Sequence, residues 1–171
     1  DMSLSQGRGR PGHEDPYRFL FEHMAKGLAY CRMVFDGEEP VDFVYLEVNQ
    51  AFGTLTGLHD VVGRRVTEVI PGIHESDPEL FAIYGQVAKT GVSRRFEIRV
   101  KALAAWFDVS VYSPAPGHFV AVFDVISERK RTEERLERFA GRLEQLTQVV
   151  RDLSRAETLD EIAALVRHAA R

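Results

Sequence analysis

The side chains that carry chemistry in proteins are present in this sequence, but they are not spaced to work together. There is one cysteine, Cys31, and six scattered histidines. No two of them stand at the short spacing with which zinc ligands are usually presented. His13-Glu14 and His74-Glu75 begin like a zinc-peptidase helix, yet neither is followed by a second histidine four residues after the first. Gly7-Arg8-Gly9 lacks the third glycine and the preceding strand of a dinucleotide loop. Serine, aspartate and histidine all occur, but nothing in their order sets a nucleophile beside a base. No metal and no catalytic residue is predicted. The expected activity is binding and mechanical coupling, not catalysis.

What remains is a large set of aromatic and aliphatic residues, so the elements that position them decide the reading. The 171 residues are 44% hydrophobic and 28% charged, which suits one ordinary soluble core with an additional element. A net charge of −4 gives no reason to expect a nucleic-acid partner. One cysteine rules out a disulfide framework and fits a reducing compartment, so a cytoplasmic setting is expected. No apolar run nears the ~20 residues of a membrane helix, and no signal peptide is recognisable.

Texture divides the chain. Residues 1–15 are rich in Gly, Ser, Arg and Pro with little to bury, which predicts a disordered tail. Pro16 to Lys26 carries Phe19, Leu20, Phe21 and Met24 at helical spacing. Leu28 to Phe35 and Val41 to Val48 are strand-like, with Asp36-Gly37 as a hairpin signal between them. Asn49 then stands where it can cap a short helix containing Ala51 and Phe52, and Gly57 can close it. A second helical turn is expected over Asp60 to Arg65, before Pro71-Gly72. Asp77-Pro78 reads as an N-cap followed by proline at the first position of a longer helix. Leu80, Tyr84 and Val87 share one face of that helix, and Gly91 stops it. Three strands follow, Ser93 to Val100, Trp106 to Tyr112 and His118 to Ile126. The predicted fold class is α+β: a five-stranded antiparallel sheet with short helices on one face, plus a long C-terminal helix.

Several pieces of sequence add a family likeness. They are Val48-Asn49-Gln50-Ala51-Phe52 with Leu55-Thr56-Gly57, then Val61-Val62-Gly63-Arg64 and Val87-Ala88-Lys89-Thr90-Gly91. Trp106-Phe107-Asp108-Val109-Ser110 and Ile126-Ser127-Glu128-Arg129-Lys130 complete the set. In this order and spacing the chain resembles a PAS domain over residues 17–130. The resemblance implies a sensory domain at 16–126, taken from a bacterial-type signal-transduction protein. It also implies a ligand site between the inner sheet face and the short helices, for which Tyr30, Met33, Tyr45, Phe52, Leu55, Ile83, Tyr84, Val87 and Phe96 are the candidate lining. The same residues also read as simple filling of the core, which is the favoured of the two readings.

The cofactor, if any, is unknown. Haem-binding relatives place an axial histidine on the long helix; Pro78 to Thr90 has none, and His74 lies upstream, so haem is not expected. Flavin photosensor relatives use a cysteine on a helix after the second strand. Cys31 falls in the first strand, so thiol-adduct photochemistry is not expected, and Cys31 reads as a small buried hydrophobe.

The C-terminal stretch points to a partner. Leu136, Phe139, Leu143, Leu146, Val150 and Leu153 step by 3, 4, 3, 4 and 3 residues, the seam of a coiled coil. This predicts a signalling helix over 127–153 and a parallel homodimer, although the flanking charges match poorly: Glu128 would face Glu133 of the partner. At Ser154-Arg155-Ala156-Glu157 the seam breaks. Thr158-Leu159-Asp160-Glu161 reads as a capping box for a new helix bearing Ile162, Leu165, Val166 and Ala169. That helix resembles the opening of a GAF domain, so residues 154–171 are expected to begin a further domain or helix.

The expected function is a sensory module that binds a small molecule or partner and drives a downstream effector domain through the helix. The alternative is a ligand-free scaffold for homodimerisation or protein docking. Asp124, Val125, Ser127, Glu128 and Arg129 are the candidate transmission residues. Relatives end the last strand with Asp-Ile-Thr-Glu-Arg, whose Asp ties strand to helix. Here Val125 aligns with that Asp and Asp124 is one residue early, which on a strand is the opposite face unless a bulge intervenes.

Overall fold

The computed structural model describes residues 16–169; the tail expected over 1–15 lies outside the described residues. The chain divides into two compact units at the Ile126–Ser127 bond. Among the described residues no helix is long and apolar enough to cross a membrane.

The first unit is built on the predicted sheet. β1 (Gly27–Asp36) and β2 (Glu39–Val48) form a hairpin about Gly37-Glu38, with Gly37 at a φ of +60° that glycine adopts without strain. β3 (Arg94–Val100), β4 (Ala105–Tyr112) and β5 (His118–Val125) follow. All pairings are antiparallel and the order is β2-β1-β5-β4-β3. The last strand is therefore central. Its alternation is strict: Phe119, Ala121 and Phe123 are buried, and the residues between them are half-buried.

Short helices cover the inner face. α1 (Pro16–His23) buries none of its residues, and Tyr17, Phe19 and Leu20 are exposed; Met24 lies just past its end. α2 (Gln50–Thr56) is capped by Asn49 and closed by Gly57, as the sequence predicts. The helical turn expected over Asp60 to Arg65 does not form there. Asp60 and Gly63 adopt left-handed φ values of +53° and +81°, which interrupt a right-handed helix. The loop instead completes the edge of β2. Gly63 N–H donates to the Tyr45 carbonyl at 2.7 Å, Tyr45 N–H donates to Arg64 O at 3.1 Å, and Arg65 bridges Val44. Only then do α3 (Val66–Val69) and α4 (Ile73–Ser76) begin. The Asp42 carboxylate anchors α3 to β2, accepting from the Thr67 hydroxyl at 2.6 Å.

α5 (Pro78–Thr90) starts with proline and ends at left-handed Gly91. Asp77 does not cap it through its side chain. The carboxylate turns away to accept the N–H groups of Lys101 at 2.7 Å and Ala102 at 3.1 Å. These belong to the 3-10 turn Lys101–Leu103 between β3 and β4. A buried carboxylate with two backbone donors and Ser76 in reach satisfies more orphan groups there than at a helix start that proline already suits.

Two glycines in helices make opposite predictions. A Cβ on Gly85 of α5 would stand 2.5 Å from Pro40 Cβ, whereas one on Gly141 meets nothing within 4 Å. Gly141→Ala is expected to stabilise its helix by about 1 kcal/mol. Gly85→Ala gains the same propensity but is expected to lose about 1–3 kcal/mol to overpacking against a rigid ring. Chemical denaturation of the two variants beside the parent checks both signs.

The second unit is α6, a single helix of 43 residues from Ser127 to Ala169. The helix runs unbroken through 154–157, so Thr158 does not begin a separate one. Its hydroxyl donates back to the carbonyls of Ser154 at 2.9 Å and Arg155 at 3.0 Å. Ser154-Arg155-Ala156-Glu157 contains neither glycine nor proline, so nothing in it opposes helix. What changes is the pattern. Leu153, the last seam residue, is followed six residues later by Leu159, and at ~100° per residue the stripe of Leu159, Ile162 and Val166 turns well away from the seam. Leu136, Phe139, Leu143, Leu146, Val150 and Leu153 are all half exposed or more.

Candidate functional site: a core cavity and the strand that leaves it

The sheet and the short helices frame a partly open cavity of about 70 Å³. β1 contributes Ala29 and Cys31, β2 Phe43 and Tyr45, β4 Phe107 and Val109, and β5 Phe119, Ala121 and Phe123. Phe52 and Thr56 of α2 and Leu80 and Tyr84 of α5 lie over them, and Leu103 closes one side. No charged side chain lines the space. The rings meet edge to face, Phe43 with Phe119 at 5.3 Å and Tyr45 with Phe52 at 5.4 Å. Such pairs add ~0.5–1.5 kcal/mol each beyond area burial.

Polar heads interrupt this lining. Burial pushes the Cys31 thiol well up, so it stays protonated and is no nucleophile. Tyr45 and Tyr84 are only 4% and 7% exposed. Burial raises both phenols, with smaller contributions from Cys31 and, for Tyr45, from Tyr84 and Asp42. The three groups thus lie within electrostatic reach of one another. Among the described residues neither phenol hydroxyl has a hydrogen-bond partner. No buried side-chain oxygen is sealed away unpaired, so each hydroxyl keeps some accessible surface, and both residues line the cavity. Thr56 differs: its hydroxyl is committed to Phe52 O at 2.6 Å.

Of the nine predicted lining residues the structure brings three to the cavity, Tyr45, Phe52 and Tyr84. Tyr30 is on the wrong face. It alternates with inward Ala29 and Cys31 and packs its ring 5.8 Å from His118. Met33 and Val87 are buried core away from the cavity. Leu55, Ile83 and Phe96 are partly buried against the core and do not line the space either.

β5 both lines the cavity and leaves the domain. Phe119, Ala121 and Phe123 face the cavity, Val125 continues their face against the core, and Ser127 opens α6 two residues later. The register with β4 is unbroken from Phe107↔Val125 through Asp108↔Asp124 to Val109↔Phe123. No bulge therefore brings Asp124 inward. It lies on the outer face, where its carboxylate accepts from Val125 N–H at 2.9 Å and stands across from Asp108, which Arg95 holds by hydrogen bonds of 2.7 and 3.1 Å. The end of β5 is fixed by backbone: Ile126 N–H donates to Trp106 O at 2.8 Å. Ser127, Glu128 and Arg129 form the first turn of α6, where Arg129 pairs with Glu133 at 3.2 Å.

No protein-family model matches the sequence, and no curated protein does. Solved structures are similar. An RNA-binding light-oxygen-voltage receptor aligns over 81% of this chain at 17% identity with a TM-score of 0.53. This is the PAS fold. The alignment takes in 41% of that receptor, so the chain spans about two fifths of its length. A PAS domain of Colwellia psychrerythraea aligns over 66% of this chain and 96% of its own, at 12% identity and a TM-score of 0.49. The LOV protein of Rhodobacter sphaeroides aligns over 71% and 74%, at 18% and 0.45. At these identities the likeness speaks for the fold alone.

In this PAS fold the cavity residues absent from the predicted lining include Cys31, Phe119 and Phe123, and these were marked by phase. On β1, Arg32 shares a face with Leu28, Tyr30 and Val34, and a charged residue in phase marks the outer side. That places Ala29, Cys31 and Met33 inward and excludes Tyr30. On β5, Asp124 does the same for Phe119, Ala121 and Phe123.

Proposed function

We propose that this PAS domain is a sensory module. A small molecule occupies the core cavity, and its presence is passed through β5 to α6, which pairs along the seam with a second copy and drives an effector domain of the parent protein. The observation that carries this reading is that one strand serves both ends. β5 gives three residues to the cavity wall and reaches α6 through the single residue Ile126, so a displacement of Phe123 has almost no slack before the helix. The coupling does not use a junction aspartate, since Val125 holds the inward position. A weak seam suits this role, because a few kcal/mol can shift a two-state pairing.

The ligand-free scaffold remains a second reading, supported by the size of the cavity, well below the ~300–1,000 Å³ of ordinary ligand pockets. Native mass spectrometry of the purified domain separates the two, since a co-purified small molecule supports sensing.

Inserting one alanine after Ala140 turns everything beyond it by about 100° and breaks the 3-4 spacing of the seam. The expected result is self-association at least tenfold weaker in sedimentation equilibrium and an effector in the full-length protein that no longer responds. Unchanged association and unchanged output would overturn the proposal.

A further inference from the structure

We infer that the cavity selects an uncharged molecule about the size of phenol, carrying one hydrogen-bonding oxygen that sits between the hydroxyls of Tyr45 and Tyr84. This rests on the reading of the cavity as a ligand site and specifies what that site takes.

Three observations define the occupant. The first is size: about 70 Å³, set against roughly 10–15 Å³ for one water, leaves room for on the order of six heavy atoms. The second is charge. The lining contains no charged side chain, so an ionised ligand would lose its hydration with nothing to replace it. The phenols of Tyr45 and Tyr84 stay neutral here and supply no compensating charge. The third is the pair of hydroxyls itself. Both rings are more than nine-tenths buried, and neither hydroxyl is hydrogen-bonded. Each can donate one hydrogen bond and accept others. An occupant with a single hydroxyl can accept from one tyrosine and donate to the other, whereas a purely apolar occupant leaves both unmatched and trades away any water they held. The aromatic walls, Phe43, Phe52, Phe119 and Phe123 among them, favour a flat body presented edge to face.

Titration calorimetry on the chain as it stands, with phenol, benzene and benzoate as probes, tests this. Phenol is expected to bind, benzene at least tenfold more weakly, and benzoate not measurably. Tyr45→Phe and Tyr84→Phe are each expected to weaken phenol several-fold and leave benzene unchanged. Because the hydroxyls have no protein partner, both variants are expected to fold with at least the parent's stability, so a loss of phenol binding is not a loss of fold. The inference is overturned if benzene matches phenol, if benzoate binds, if both variants keep the phenol affinity, or if none of the probes binds. A co-purified molecule of another class, seen by native mass spectrometry, would remove this inference and leave the sensory reading standing. An empty domain that also shows no effect of the helix insertion would remove both.

Discussion

Asn49→Asp is expected to destabilise the first unit by about 3–5 kcal/mol at neutral pH, even though aspartate caps a helix as well as asparagine does. Asn49 is buried and uses its whole amide. Oδ1 accepts from Phe52 N–H at 3.0 Å, the helix cap, and from Leu28 N–H at 2.9 Å. Nδ2 donates to the carbonyls of Phe21 at 3.1 Å and Lys26 at 3.0 Å. Two donors on one side and two acceptors on the other leave no freedom to exchange the amide atoms. A carboxylate would keep the cap and turn its second oxygen on two carbonyl oxygens, leaving both unsatisfied and adding a buried charge beside them. Urea denaturation at pH 7 measures the loss, with Asn49→Ala as comparator. An aspartate variant within about 1 kcal/mol of the parent would show that capping is all that Asn49 does.

That residue also marks the limit of what the sequence could tell. Local patterns were legible: the alternation of β5, the turn at Gly37, the cap at Asn49 and the stop at Gly91 each depend on a few neighbouring residues. The cap was visible because Asn49 and Phe52 are three residues apart. The other half of its role reaches back 28 residues to Phe21, and no spacing encodes that. The same holds for the loop at Gly63 to Arg65. Its polar, glycine-containing text fits a turn of helix as well as a loop, and only the bare edge of β2 decides in favour of pairing. The cavity lies between. Its faces could be read from the phase of Arg32 and Asp124, but which inward residues stop short of one another depends on helix placement, so Met33 and Val87 pack while Tyr45 and Tyr84 line space. In α6 the heptad shift at 154–157 was legible and its meaning was not, because a change of stripe needs no change of backbone.

Asp77 carries the remaining large effect, and its sign depends on pH. Burial by itself would push this carboxyl up. The hydrogen bonds from the Ser76 hydroxyl and from Lys101 and Ala102 N–H, with the charge of Lys101, more than reverse that and hold it below the usual carboxylate range. The folded value therefore lies below the unfolded one, near 3.9. The carboxylate's contribution is complete above about pH 5 and is lost as the pH falls through the unfolded and then the folded value. Asp77→Asn removes that dependence. One amide oxygen can still accept, but the amide nitrogen facing Ala102 N–H cannot, so a loss of about 2–4 kcal/mol is expected at pH 7. The gap to the parent should narrow toward pH 3. Urea midpoints at pH 7, 5 and 3 check this, and a gap that stays constant or widens on acidification would show that the charge of Asp77 does not stabilise the fold. The effect extends to the cavity, because the turn that Asp77 holds ends at Leu103, one of its walls. An asparagine variant that folds at pH 7 is accordingly expected to bind phenol more weakly than the parent without any cavity side chain having been changed.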